Sequence, residues 1–138
     1  MVSRDTSLPL LRPEINVQTH VNTRDDERFQ NTILRPVIKF QNDLLLEMFR
    51  NYIRKHKNVF YELPLQKRID YIENAIHKDM KFRNALKGAV IGQFTVKEYQ
   101  VYTQNSSALN KRMMHLVKER IKDQIQLLEI SENIKTAM

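Results

Sequence analysis

The chain has 138 residues and a formal net charge of +7, with 28% charged and 41% hydrophobic residues, two Gly, four Pro and no Cys. That length suits one domain with a real core, and so few Gly and Pro cannot supply the tight turns of a sandwich or barrel, so the expected fold is all-α: a compact bundle of about four helices with a long C-terminal helix. The lack of Cys excludes disulfides, thiolate zinc sites and cysteine nucleophiles, and no apolar run reaches the roughly 18 residues of a membrane span or the core of a signal peptide, which makes a cytoplasmic protein the expectation.

Residues 1–30 are polar, contain Pro9 and Pro13, and show no sustained period, so they read as a flexible N-terminal arm ahead of a single helical domain over 31–130. The stretch LPLLRPEI within the arm is short and apolar enough to dock on a partner or on the domain itself. From Thr32 to Lys57 the pattern predicts a helix, with Pro36 tolerated in its first turn, where backbone donors lack internal partners. Its apolar residues cover all but a narrow sector holding Lys39, Asp43, Glu47, Arg50, Arg54 and Lys57. A helix so widely apolar has to be covered on several sides, by the other helices, by a second subunit or by both.

Pro64 opens a second helix with the one-sided stripe Leu65, Ile69, Ile72, Ile76 and Met80. Asp79 can cap a third, ending near Ile91, unless the two join through a kink. That third helix carries a small-residue face, Ala85, Gly88, Ala89 and Gly92, which suits close helix packing with a Gly C-cap, or close backbone approach to a ligand. Thr95 and Glu98 match a capping box that starts the last helix. Over Thr95–Ile130 the apolar phase survives the polar stretch Gln104–Ser107, which favours one continuous helix over two, although the Ser pair can cap a fresh one. Residues 131–138 read as a frayed tail.

The candidates for chemistry are few. Asp43 with Glu47, Glu73 with His77, and His115 with Glu119 have one-turn spacing, but two ligands do not make a metal site and none matches a metalloprotease or di-iron pattern. No metal, no cofactor and no catalytic residue is expected. There is no Gly-rich phosphate loop or nucleophile elbow, and His20 and His56 lie in the arm and at a helix end.

The basic residues form three small groups: Arg50, Arg54 and Lys57 on the first helix, Arg83 and Lys87 on the third, and Lys111 with Arg112 on the last. Converging in space they would neutralise several phosphates, in a mode of binding that weakens steeply with salt, but no recognition helix or stacking platform accompanies them. Two polar residues interrupt apolar arcs, Gln41 in the first helix and Asn110 near the centre of the last. Each must find a hydrogen bond on burial, either as a register-setting contact between helices or subunits or by facing a polar pocket.

With these residues in hand, the blocks LRPVIKFQNDLLLEMFRNYIRKHKNVFY (Leu34 to Tyr61), YIENAIHKDMKFRNALKG (Tyr71 to Gly88) and IGQFTVKEYQVYTQNSSALNKRMM (Ile91 to Met114) resemble a family of short, uncharacterised, all-helical bacterial proteins. Some members carry the label "glyoxalase". That label implies a metal-dependent lyase with His and Glu ligands on strands, a ligand set this sequence does not supply, so the resemblance carries over no catalytic residue. The function expected from the residues is a non-enzymatic helical interaction module that forms a homo-oligomer or binds a protein partner. The alternatives are an RNA-, nucleic-acid- or ribosome-associated accessory protein using the basic helix faces, and, less favoured, the metal-dependent lyase.

Overall fold

The computed structural model describes residues 3–14 and 24–129, and these are all-α, with no strand among them. His20, the rest of residues 15–23, and the tail after Glu129 lie outside the described residues. In chain order the elements are α1 (Arg4–Leu11), α2 (Asp25–Phe29), α3 (Arg35–Phe40), α4 (Asn42–Lys55), α5 (Leu65–Lys78), α6 (Met80–Ile91), α7 (Val96–Tyr102) and α8 (Ser106–Asp123).

The expected first helix starts earlier than its apolar pattern and is not one rod. Helix begins at Asp25, and residues Gln30–Leu34 form a π-helical stretch before α3. Pro36 supplies the reason. A proline preceded by helix removes one backbone bond and crowds the carbonyl four residues back. Widening the turn relieves that, and the Arg35 N–H bonds back to the Gln30 carbonyl. A second interruption falls at Gln41, where φ −85° and ψ 4° end α3 and start α4. At its far end α4 closes with Lys57 and Asn58 in the left-handed region (φ 63° and 58°) and the Asn58 N–H on the Ile53 carbonyl at 3.0 Å.

Most of the wide apolar girdle of this segment is covered by the chain's own helices. Leu34, Val37, Ile38, Leu45, Leu46, Phe49 and Ile53 are all buried, whereas Phe40 and Leu44 stay 41% and 48% exposed. Phe49 sits at the hub of an aromatic cluster, its ring centroid 5.8–6.3 Å from those of Tyr52, Phe60, Tyr71 and Phe82. In α5, Ile72 and Ile76 are buried, but Leu65 and Met80 at the ends of the predicted stripe are exposed.

The helical run from Val96 to Asp123 fulfils the expected long C-terminal helix in extent, with an interruption that its continuous phase conceals. A 3₁₀ turn at Thr103–Asn105 separates α7 from α8, and Asn105 leaves helical dihedrals altogether (φ −149°, ψ 48°). In a straight helix Tyr102 and Asn110 would stand about 12 Å apart along the axis. Here the buried Tyr102 hydroxyl donates directly to Asn110 Oδ1, which is possible only because the axis bends between them. Asn110 is thus half-buried and bonded within its own chain.

The N-terminal arm departs most from expectation. Residues 4–11 are helical, capped by the Ser3 hydroxyl, and α1 docks on the corner between α6 and α7. It buries no residue of its own, and Leu10 is 81% exposed. Charge holds it instead. Arg4 donates to the Gly92 carbonyl and to the Phe94 carbonyl at 2.8 Å. Asp5 accepts from the Val96 and Lys97 N–H groups at 2.7 and 3.2 Å, and Arg12 grips Glu98 at 2.7 Å through both oxygens. A charge-anchored segment lacks the apolar period by which a docked helix is recognised in sequence.

Candidate functional site

Helices α4 and α6 pack antiparallel, and two contacts fix their register. At one end Gln41 Nε2 donates to the Ala89 carbonyl at 2.8 Å, which is how the first of the two polar interruptions is satisfied. At the other end the Tyr52 hydroxyl donates to Asp79 Oδ2 at 3.0 Å. Asp79 also caps α6 as expected, its Oδ1 accepting from the Phe82 N–H at 3.2 Å.

Between these ties lies a groove of about 410 Å³, with Met48, Tyr52, Phe82 and Ala85 on its walls and Lys55 and Lys81 at its rim. Its aromatic end is tightly organised. The Tyr52 ring lies 4.3 Å from Phe82 and stacks on His56 at 4.0 Å. The His56 ring is 2.8 Å from the Tyr52 carbonyl through Nδ1; a carbonyl only accepts, so Nδ1 carries a proton and donates. Burial, reinforced by the Asp79 carboxylate, pushes the Tyr52 phenol up to about 12. The Phe82 N–H, followed by the Tyr52 hydroxyl, holds the Asp79 carboxyl below its usual range.

These groups suit binding better than reaction. The phenol is far from ionisation at neutral pH, the carboxylate is engaged by two donors, and the residues lining the groove include no serine or cysteine to act as a nucleophile. Replacing Tyr52 by Phe is expected to cost about 1 kcal/mol, the net worth of one hydrogen bond, seen as a lower urea midpoint with unchanged far-UV circular dichroism.

The seven basic candidates are distributed over separate contacts. Arg50 donates to the Leu127 carbonyl at 2.7 Å and to Glu47 at 3.2 Å, and Arg54 reaches the same Glu47 at 3.0 Å. Lys57 is exposed in the left-handed turn that ends α4, Lys111 is exposed on α8, and Arg112 donates to Gln30 Oε1 at 3.0 Å. Arg83 meets His77 at 3.2 Å, with Lys87 one turn further along α6. Arg50, Arg54 and Arg112 therefore spend their guanidinium groups on the fold.

Of the paired acids and histidines, Glu47 is held by arginines and Glu73 by Lys122 at 2.7 Å, and among the described residues no three His, Asp or Glu side chains converge to hold a metal. No helix among the described residues is long and apolar enough to cross a membrane. In the sequence Tyr52 and Phe82 are simply apolar positions of two separate helices, and Asp79 is a cap. No local pattern joins the three, because the groove arises from the antiparallel register of α4 and α6.

The fold and groove define a small all-α bundle with a helix-lined surface groove. No protein-family model, curated protein or solved structure matches the chain.

Proposed function

We propose that the protein is a non-enzymatic helical interaction module that self-associates through the α4–α6 face. The observation that carries this reading is the exposure of Phe40 (41%) and Leu44 (48%), the residues of the widely apolar first segment that its own helices leave most open. One turn beyond Leu44, the half-buried Met48 continues the stripe into the groove. The antiparallel register that sets Gln41 against Ala89 and Met48 against Ala85 brings Leu44 alongside Gly88.

A row of large side chains on α4 thus flanks a row of small ones on α6. A side chain built at Gly88 would meet no heavy atom within 4 Å, so the surface there is open. Large beside small is self-complementary about a two-fold axis: the ridge of one copy fits over the low strip of the other. Antiparallel docking also carries Lys55 and Lys81 of the two copies to opposite ends, away from each other.

Light scattering at tens of micromolar is expected to show a dimer. Leu44→Asp should convert it to monomer while changing monomer stability by less than about 0.5 kcal/mol, since the side chain is exposed. Gly88→Leu should also block pairing, and it should leave the melting temperature equal or higher, because a helix-interior Gly costs up to about 1 kcal/mol. A strictly monomeric wild type, or variants that dimerise unchanged, would overturn the proposal.

A further inference from the structure

Away from the α4–α6 groove, the end of α5, the start of α6 and the middle of α8 bring cationic groups together. The Arg83 guanidinium lies 3.2 Å from His77 Nδ1. Arg83 can only donate, so Nδ1 accepts and the imidazole is neutral in this arrangement. Helix α8 runs antiparallel to α5, tied to it by Lys122 on Glu73 at 2.7 Å, and so presents His115 and Lys118 to the same corner. Lys118 is only 16% exposed, unusually covered for a lysine.

The local acids do not balance these charges. Glu73 is engaged by Lys122, and Glu119 is shared between Lys118 and Lys122 at 3.7 Å each. Arg83 has no carboxylate within ion-pair distance among the described residues. The groups facing His77 are Glu73 on its own helix, Arg83 on α6, and His115 and Lys118 on α8. Partial burial, then the charges of Lys118 and Arg83, hold the His77 imidazole below its usual range, and Glu73 only partly opposes them. Uncompensated like charges oppose folding, and a bound anion relieves that repulsion.

We propose that this corner is a phosphate-binding site, in which Arg83 and Lys118 take the phosphoryl oxygens and His77 turns from Arg83's acceptor into a third donor. Phosphate is favoured over a carboxylate because two cations from different helices can neutralise a dianion, and the planar guanidinium matches its paired oxygens. Lys87, one turn beyond Arg83, and Lys111, one turn before His115, offer further charge to a ligand with more than one phosphate.

The test follows the His77 ring resonances by NMR in the full chain at low, matched ionic strength. The probes are inorganic phosphate, a short single-stranded RNA, polyglutamate and chloride. Binding should raise the apparent His77 pKa, and Arg83→Gln or Lys118→Gln should each weaken it by about tenfold, the size of one charge-assisted hydrogen bond, with Arg83→Lys recovering part of the loss. A response to inorganic phosphate assigns a small phosphate ligand, and a response to RNA alone assigns a nucleic-acid backbone. No response to either, an equal response to polyglutamate, or unweakened binding in both Gln variants would overturn the proposal.

Discussion

Phe49→Ala is expected to be the most damaging single substitution in the chain, lowering stability by about 4 kcal/mol. The ring is fully buried and makes edge or tilted contacts with Tyr52, Phe60, Tyr71 and Phe82, which arrive from α4, the 3₁₀ turn at Val59–Glu62, α5 and α6. Its removal takes away both the transfer energy of the ring and the contacts around the hole it leaves. Such truncations cost about 3–5 kcal/mol, and four rigid aromatic neighbours cannot collapse far into the gap. Total stabilities of small domains are about 5–15 kcal/mol, so the loss removes a large share. Urea unfolding followed by circular dichroism measures it, with Phe40→Ala, at a 41% exposed position, as the control expected to change little when both variants are compared at a protein concentration low enough to keep the chain monomeric. Equal midpoints for the two variants would contradict the assignment of Phe49 as the hub.

The contrast between Phe49 and Phe40 shows what the sequence could reveal. Periodicity placed both on a wide apolar girdle, and the expectation of cover from several sides holds for Phe49, Leu45, Leu46 and Ile53. Which sector stays open depends on the angle at which α6 crosses, and that is set by the Gln41–Ala89 and Tyr52–Asp79 ties, neither of which leaves a period in the sequence. The backbone interruptions were hidden for a related reason. The Gln30–Leu34 stretch and the turn at Thr103–Asn105 alter the helix axis without removing the apolar residues that report a helix. Caps were more legible: Asp79 and the Thr95–Glu98 box rely on side chains three residues from their targets, a local geometry that spacing alone encodes.

The candidate surfaces follow the same division. Seven basic residues were visible as charge, but charge alone does not distinguish Arg50, committed to the Leu127 carbonyl, from Arg83, whose partner is a neutral histidine. Lys118 and His115 join Arg83 only because α8 runs back along α5. Their juxtaposition lies in the packing of three helices and in no short segment of sequence.

Glu98→Ala is expected to cost about 3 kcal/mol and to release α1 from the domain. One Glu98 oxygen accepts from the Thr95 N–H at 2.8 Å and from Arg12 at 2.7 Å, and the other accepts from Arg12 at 2.7 Å. The substitution therefore removes half of the capping box and strands the Arg12 guanidinium, 9% exposed, with the Gln93 carbonyl at 2.6 Å as its remaining partner. Breaking one side of a largely buried pair costs about 3–5 kcal/mol, and the residual exposure of Glu98 sets the lower end. Glu98→Gln keeps an acceptor for the Thr95 N–H and loses the charge, so it should fall between. Burial raises the Glu98 carboxyl, but the Arg12 bonds and the Thr95 N–H outweigh it and hold the group below its ordinary value. A carboxyl lowered in the folded state contributes its stability above the ordinary value and loses it as the pH falls through the lower folded one. The clamp should therefore hold unchanged through neutral pH and open only below the usual carboxylate range. Hydrogen exchange over residues 4–11 and 96–102 measures this directly: wild type should be protected at neutral pH and lose protection on acidification, whereas Glu98→Ala should be unprotected over 4–11 at both. Full protection of 4–11 in Glu98→Ala would mean that the Arg4 and Asp5 contacts hold α1 by themselves.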